Sequence, residues 1–248
     1  MNYKHFSLLY DQLMDEAPYD QWMEFLTTQV NNHFSEAKKV LDLACGTGEM
    51  SIRLFERGFD VVGVDLSEEM LSIAYQKAVD KGYRIPFFRQ NMTELTEFSS
   101  FDIVIIFCDS LNYLQTEQDV ANTFTSVFQC LNHGGLLLFD VHSPYKMENV
   151  YAGATFAYNG DDISYIWNSY AGEYPLSVEH ELTFFVFDEQ SGKYDRYDEL
   201  HKQRTYPKSQ YENWLKAAGF QILSITGDFT NEPVSETTER IFFTVKKP

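Results

Sequence analysis

The feature that most constrains the fold is a short apolar segment followed at once by a glycine-rich turn and an amphipathic helix. The apolar segment covers residues 39–43, the turn contains Gly46 and Gly48, and the helical pattern begins at Glu49. Glycine lets the backbone turn sharply and approach a ligand closely. A strand, such a turn and a helix in this order are typical of an α/β sheet with a ligand at the turn.

Four more short apolar segments alternate with helical patterns after this unit. Strands are predicted at residues 60–64, 84–89, 101–107 and 136–141, and a helix and two more strands at 207–218, 220–226 and 240–246. Such alternation predicts βαβ crossovers and a mainly parallel sheet with helices on both faces. Apolar residues follow one another without alternation in these strands, as expected when both faces of a sheet are covered.

The pattern changes to a period of two after about residue 150. Apolar and polar residues alternate through residues 151–206, and Asn159-Gly160 is a strong signal for a tight hairpin turn. We therefore predict one α/β domain, residues 1–150 and 207–248, with an inserted antiparallel β unit, residues 151–206. Within that unit, His180 is expected in a packed face, and Glu199, His201 and Arg204 on a solvated surface.

Composition restricts the function. The 248 residues contain 37 acids and 19 Lys and Arg, giving a formal net charge of −18. Non-specific affinity for nucleic acid comes from basic side chains, so a nucleic-acid partner is disfavoured. The three cysteines, Cys45, Cys108 and Cys130, have no spacing typical of a metal site or a disulfide framework. With no signal peptide and no bilayer-length apolar stretch, we expect a cytoplasmic protein without a metal.

The glycine-rich turn is compatible with two ligand classes. Asp65 ends the second strand, where a carboxylate can accept both hydroxyls of an adenosine ribose. A dinucleotide would place its pyrophosphate at the helix start and prefers a small third residue, where Ser51 stands. The carboxylates of Glu49 and Asp42 would repel a pyrophosphate. A ligand with a cationic amino-acid end, such as S-adenosylmethionine, suits these acids better.

Three segments resemble the motifs of class I S-adenosylmethionine-dependent methyltransferases. The run Asp-Leu-Ala-Cys-Gly-Thr-Gly at residues 42–48 is similar to motif I, and Val-Gly-Val-Asp-Leu-Ser-Glu-Glu-Met at residues 62–70 to the motif that follows it. Residues 101–110 resemble motif IV. The resemblance covers roughly residues 36–142. It implies a Rossmann-like seven-stranded sheet of order 3-2-1-4-5-7-6 with strand 7 antiparallel, and here an inserted β lid.

The resemblance also implies which residues hold S-adenosylmethionine. Gly46 and Gly48 would face its methionine part, Asp65 its ribose, and Leu66 and Met70 its adenine. Asn91 and Met92 stand where many family members have an Asp that contacts the adenine amino group. The other implied cofactor residues are Asp42, Ala44 and Cys45 in motif I, and Cys108 and Asp109 beside the sulfonium.

The acceptor side of the site resembles that of small-molecule enzymes. Residues 108–113 lack the Asp/Asn-Pro-Pro-Tyr sequence of enzymes that methylate nucleic-acid bases. Tyr10-Asp11 and the run from Ser110 to Leu114 resemble features of sugar and glycine-type N-methyltransferases. By this resemblance Tyr10 and Tyr113 would line the methyl-transfer chamber. His142 follows the fifth strand, where ligands bind in open α/β sheets, and is a candidate base or substrate contact.

We therefore expect methyl transfer to a small molecule, at an amine nitrogen. The alternatives are an RNA- or protein-directed methyltransferase, a non-catalytic S-adenosylmethionine-binding regulator and, on weaker grounds, a nicotinamide oxidoreductase. Both a monomer and a homodimer are compatible with the sequence.

Overall fold

The computed structural model describes residues 17–248. Tyr10, which we predict in the methyl-transfer chamber, lies outside the described residues. In residues 17–248, none of the helices combines the length and the apolar character that crossing a bilayer requires.

A seven-stranded sheet forms the centre of the molecule. Its order is β3-β2-β1-β4-β5-β11-β10. β11 is antiparallel to both of its neighbours, while β1 to β5 are parallel. This confirms the predicted strand order and the antiparallel seventh strand. The strands of this sheet are β1 (Lys39–Leu43), β2 (Asp60–Asp65), β3 (Phe87–Arg89), β4 (Phe101–Ile106), β5 (Leu131–His142), β10 (Gln221–Gly227) and β11 (Arg240–Lys246).

Five α-helices in the described part of the chain cover this sheet. They are α1 (Tyr19–His33), α2 (Glu49–Glu56), α3 (Glu68–Asp80), α4 (Glu117–Cys130) and α5 (Lys208–Ala218). Local sequence sets several of their ends. The Ser67 hydroxyl accepts a hydrogen bond from the Met70 backbone N–H, and the Thr116 hydroxyl accepts one from Asp119, as N-caps do. Gly219, in the left-handed conformation, ends α5.

Two apolar clusters lie on the two faces of the sheet. One packs α4 and α5 against it through Phe124, Phe139 and Phe243. The other packs α1 and α2 on the opposite face, with Met23 and Leu26 fully buried. The β-strands are thus covered on both sides, and their carboxyl ends are left for ligands.

A second, four-stranded antiparallel sheet lies between β5 and α5 in the chain. Its order is β6-β7-β8-β9, with strands β6 (Thr155–Asn159), β7 (Ile163–Ala171), β8 (Ser177–Asp188) and β9 (Lys193–Arg204). A π-helix at Lys146–Tyr151 leads into it. We refer to β6–β9 as the inserted sheet. Its last strand contacts the 3₁₀-helix Ser110–Tyr113, since the Asn112 side chain donates to the Arg204 carbonyl at 2.8 Å.

Two predicted strand bounds were wrong. β3 begins at Phe87 and not at residue 84, because Pro86 has no N–H to donate to a neighbouring strand. β5 begins at Leu131, directly after α4, and not at residue 136. Its first residues pair with β4 through a register shift, before the regular pairing starts at Leu136.

Candidate active site

The glycine-rich turn forms a small pocket at the carboxyl end of β1. The pocket has a volume of about 40 Å³. Ala44, Gly46 and Gly48 have positive φ angles of 61°, 53° and 78°, which bend the chain from the strand into α2. The predicted cofactor residues that line this pocket are Asp42, Ala44, Cys45, Gly46 and Cys108.

Two carboxyl groups lie beside the turn. Asp42 is buried and accepts a hydrogen bond from the Ser51 hydroxyl at 2.6 Å, and burial raises its pKa to about 7. Asp65, at the end of β2, accepts from the backbone N–H of Gly46 and of Ser67, each at 2.8 Å. A carboxylate has about four acceptor positions, so Asp65 retains acceptor capacity beyond its backbone partners Gly46, Leu66 and Ser67.

The remaining predicted cofactor residues follow β2 and β3. Leu66 is exposed, while Met70 packs against the cluster around Phe184 of the inserted sheet. Asn91 accepts a hydrogen bond from the Thr93 backbone N–H at 3.1 Å, and Met92 packs on the core. All four residues lie on the carboxyl side of the parallel strands, where the resemblance places the adenine.

A strained turn after β4 joins this pocket to a larger cavity. Cys108 and Asp109 have φ angles of 55° and 51°, a conformation that non-glycine residues seldom adopt. Cys108 and Ser110 line both the small pocket and the larger cavity. The two spaces therefore meet at this turn. Strained backbone of this kind is frequent at functional sites.

The larger cavity lies between the main sheet and the inserted sheet and has a volume of about 350 Å³. Of the seventeen described residues that line it, six are Phe, Tyr or Trp, and the polar ones come from both sheets. The aromatic residues are Trp22, Tyr113, Tyr151, Tyr165, Trp167 and Phe184. The main polar residues are Asp109, Ser110, His142, His180, His201 and Gln203. A cavity of this size and character is suited to an organic molecule.

A buried ion cluster supports the turn after β4. The Arg240 guanidinium contacts Asp140 and donates to Asp109 at 2.9 Å. Asp140 also accepts from the Trp22 indole and from the Asp109 backbone N–H, at 2.9 and 3.0 Å. Burial acts to raise the pKa of Asp109, but its contacts with His142 and Arg240 hold that pKa well below its usual range. Asp109 is therefore an ionised carboxylate in the cavity wall.

A hydrogen-bonded chain links the inserted sheet to this carboxylate. The Gln203 amide N–H donates to Asp109 at 2.7 Å, and its carbonyl oxygen lies 3.3 Å from Nε2 of His180. Nε2 of His142 lies 3.2 Å from the same carboxylate. Burial lowers the pKa of both histidines to about 4. Both rings are thus neutral at pH 7 and donate from Nε2, which leaves Nδ1 of each as an acceptor.

The structure brings His142 and Tyr113 to one cavity. The Tyr113 hydroxyl lies 3.3 Å from Nδ1 of His201. The prediction of a solvated His201 was wrong, because the face of β9 that carries it is turned towards the cavity. Arg204, on the other face, lies over the Tyr174 and Tyr206 rings. Glu199 is half-buried.

Sequence reasoning missed Arg240, Asp140, Trp22 and Gln203. The predicted antiparallel direction of the last strand could have indicated Arg240. Because β11 is antiparallel, its first residue lies at the carboxyl edge of the parallel strands, and Arg240 pairs with His142 in the sheet register. No local pattern marks Gln203 or Trp22, since their roles depend on packing between distant segments.

Comparison with known proteins agrees with this geometry. A profile of the Methyltransferase domain family matches residues 40–135. The chain is 51% identical over 248 residues to the inferred methyltransferase YqeM of Bacillus subtilis (strain 168), covering 100% of this chain and 98% of that protein. It is 54% identical to an inferred methyltransferase of Geobacillus sp. (strain WCH70), with complete coverage of both. It is also 31% identical to the glycine/sarcosine N-methyltransferase of Aphanothece halophytica, covering 83% of this chain and 74% of that protein.

Solved structures show the same architecture. An S-adenosylmethionine-dependent methyltransferase from Clostridium acetobutylicum ATCC 824 superposes with a TM-score of 0.89 at 32% identity, covering 98% of each chain. The sugar N-methyltransferase KedS8 from Streptoalloteichus sp. ATCC 53650 superposes with a TM-score of 0.78 at 22% identity, covering 98% of this chain and 93% of that one. At that identity the second match shows the fold alone.

Proposed function

Because the chain belongs to the S-adenosylmethionine-dependent methyltransferases, we propose that it methylates a nitrogen atom of a small organic molecule bound in the aromatic cavity. The observation that carries the proposal is the shared wall at Cys108 and Ser110, where the glycine-rich turn pocket meets the cavity. A methyl acceptor in the cavity would thereby lie next to a cofactor held at the turn.

The residues at the turn fit the cofactor. Among residues 17–248, no heavy atom would lie within 4 Å of a Cβ placed on Gly46, so the backbone is open on that side within this part of the chain. Asp65 keeps acceptor capacity for the ribose hydroxyls, and Asp42 and Glu49 are acids suited to a cationic amino-acid end. We propose that these residues, with Ala44 and Cys45, hold S-adenosylmethionine, and that Leu66, Met70, Asn91 and Met92 surround its adenine. When bound, the cofactor supplies a methyl group already activated by its sulfonium.

The chain's own contribution is to orient the acceptor and to exclude water. Orientation of two reactants can supply most of the rate when one of them is already activated. An amine needs only a free lone pair. His142 is neutral, and Asp109 fixes its ring through Nε2, so it can orient the amine. Tyr113 stands across the cavity and, with Tyr10 by resemblance, would complete the chamber.

The cavity wall disfavours a phosphate polymer as acceptor. In residues 17–248, Arg240 is the sole Lys or Arg side chain that lines the cavity, and two carboxyl groups already contact it. Affinity for a phosphate backbone comes mainly from available Lys and Arg side chains. This supports a small-molecule acceptor over an RNA.

The test is a product assay with S-adenosylmethionine carrying a deuterated methyl group and a panel of primary and secondary amines. Mass spectrometry of the products should show a deuterated methyl group on nitrogen. His142→Gln should lower kcat/KM by at least about tenfold, because the acceptor loses an orienting contact. Asp198→Asn, on the outer face of the inserted sheet, is the matched control and should leave kcat/KM unchanged. Methylation of alcohols or thiols with none of amines would contradict the proposal.

A further inference from the structure

We propose that the acceptor is an organic amine with a bulky apolar body, and that the part entering the cavity carries no carboxylate or phosphate. This inference rests on the proposed function and names the class of molecule that the same cavity takes. The charge and the size of the molecules that bind in the cavity can be tested separately from methyl transfer.

The size and lining of the cavity point to a bulky apolar body. Its volume of about 350 Å³ falls in the range of sites that bind drug-sized molecules. The Trp167 ring lies 5.0 Å from the His180 ring and 5.5 Å from the Tyr151 ring, centroid to centroid, which makes one continuous aromatic wall. Tyr165 and Phe184 extend the lining. A two-carbon amino acid would leave most of this apolar surface without contacts.

The charges of the wall favour a cation. Arg240 lies between Asp109 and Asp140, and its guanidinium also stacks over the Trp22 ring at 5.1 Å. Two carboxyl groups therefore share one guanidinium. A third carboxylate brought into this buried cluster would have no cation of its own, and an uncompensated buried charge is strongly destabilising. A substrate ammonium group would instead compensate the excess carboxylate charge. It would release a proton to solvent before methyl transfer, which frees the lone pair on nitrogen.

The hydrogen-bonding groups of the lining residues also suit an ammonium. An ammonium group is donor-only, so it requires acceptors around it. In the described part of the chain, Nδ1 of His142 and Nδ1 of His180 are buried and have no hydrogen-bond partner. Asp109 adds a carboxylate, and the Trp167 indole N–H is a buried donor without a hydrogen-bond partner in residues 17–248. The lining around Asp109 thus contains acceptors that suit a donor-only head group.

The large aromatic lining and the paired Arg240 do not suit the substrates named for one relative of this chain. The Aphanothece halophytica protein at 31% identity is a glycine/sarcosine N-methyltransferase, and glycine and sarcosine each carry a carboxylate. In residues 17–248 of the present chain, the cavity offers such a carboxylate no cation other than the already paired Arg240. We therefore expect amines, and not amino acids, to occupy it.

The experiment is a calorimetric titration with matched probes, in the presence of S-adenosylhomocysteine. Phenethylamine, L-phenylalanine and 2-phenylethanol share one ring and differ in charge, and tryptamine with L-tryptophan repeats the comparison on a larger ring. Phenethylamine should bind at least about tenfold more tightly than L-phenylalanine or 2-phenylethanol. The carboxylate of L-phenylalanine would be buried without a cation, which costs several kcal/mol, and the neutral hydroxyl of 2-phenylethanol cannot compensate the charge of Asp109. Asp109→Asn should reduce this ratio, and Asp198→Asn should leave it unchanged.

The outcomes separate the inference from the proposed function. Equal or tighter binding of the amino acids, equal binding of the alcohol, or no binding of any amine probe at millimolar concentration would overturn the inference. Tighter binding of amines without any N-methylated product would retain the charge preference and reject the proposed reaction. Methylation of glycine in preference to the aromatic amines would retain the reaction and reject the inference. The wild-type comparison stands even if Asp109→Asn does not fold.

Discussion

Replacement of Arg240 by Met should destabilise the protein strongly, because Arg240 is the cation of the buried ion cluster. Its side chain is 13% exposed, and its partners Asp109 and Asp140 are 20% and 0% exposed. Removing one partner of such a buried pair typically costs about 3–5 kcal/mol. At roughly 2–4 °C per kcal/mol for a domain of this size, Tm should fall by roughly 6–20 °C.

The pH dependence of this loss gives a sharper test. Without the guanidinium, the pKa values of Asp109 and Asp140 should rise in the folded state above their unfolded values. Such groups bind protons on folding, so stability is recovered as the pH falls through their raised pKa values. The difference in free energy of unfolding between Arg240→Met and wild type should therefore be largest at pH 7 and smaller at pH 5. Asp140→Asn in the Arg240→Met background should recover part of the loss.

The assay is urea unfolding followed by tryptophan fluorescence, since Trp22 lies in contact with the cluster. Arg196→Met, which removes an exposed ion pair with Asp198 on the inserted sheet, is the control and should leave the midpoint unchanged. Wild-type stability of Arg240→Met at pH 7 would refute the reasoning. A loss that does not decrease on acidification would show that the carboxylates are not the source of the effect.

Two further predictions concern the histidines and the glycine-rich turn. The pKa values of His142 and His180 are lowered from 6.5 to about 4. Between pH 6.5 and pH 4 the folded state therefore binds fewer protons than the unfolded state. Stability should be lost as the pH falls from 6.5 towards 4. His180→Gln should make the urea midpoint depend less on pH in this range. An unchanged pH dependence in this variant would contradict the lowered pKa of His180. A Cβ on Gly48 would lie 2.9 Å from the Cβ of Ala74, so Gly48→Ala should destabilise by about 1–3 kcal/mol in thermal or urea unfolding. Gly46→Ala, with no such contact, should lose less stability but more affinity for S-adenosylmethionine in calorimetry; the reverse order would contradict the placement of the ligand.

The main sheet could be predicted because its signals are local. Apolar segments mark the strands, the caps Ser67 and Thr116 mark helix starts, and Gly46 and Gly48 mark the turn. The strand order followed from the resemblance that these motifs carry. β5 was predicted too short because residues 131–135 include two glycines and pair only irregularly with β4.

The cavity could be predicted only in part. His142 was found from its position at the end of β5, which is a local feature, and Tyr113 from the resemblance of residues 110–114 to small-molecule N-methyltransferases. The cluster of Arg240, Asp109 and Asp140 joins segments up to 131 residues apart, and no local pattern encodes such a contact. The alternation in β9 showed which residues share a face with His201, but it could not show which face is turned to the main sheet. His201 pairs with His180 in the register of β8 and β9, so the two imidazoles enter the cavity wall together.

The central claim is that the glycine-rich turn and Asp65 hold S-adenosylmethionine beside the cavity. The most direct measurement is calorimetric titration with S-adenosylmethionine, S-adenosylhomocysteine and NADH, using wild type, Asp65→Ala and, as control, Asp60→Ala at the opposite end of β2. We expect both sulfur ligands to bind and NADH not to bind. Asp65→Ala should weaken binding at least about tenfold, since a hydrogen bond to a charged group contributes about 1.5–3 kcal/mol, and Asp60→Ala should not. Undiminished binding by Asp65→Ala, or a preference for NADH, would contradict the account.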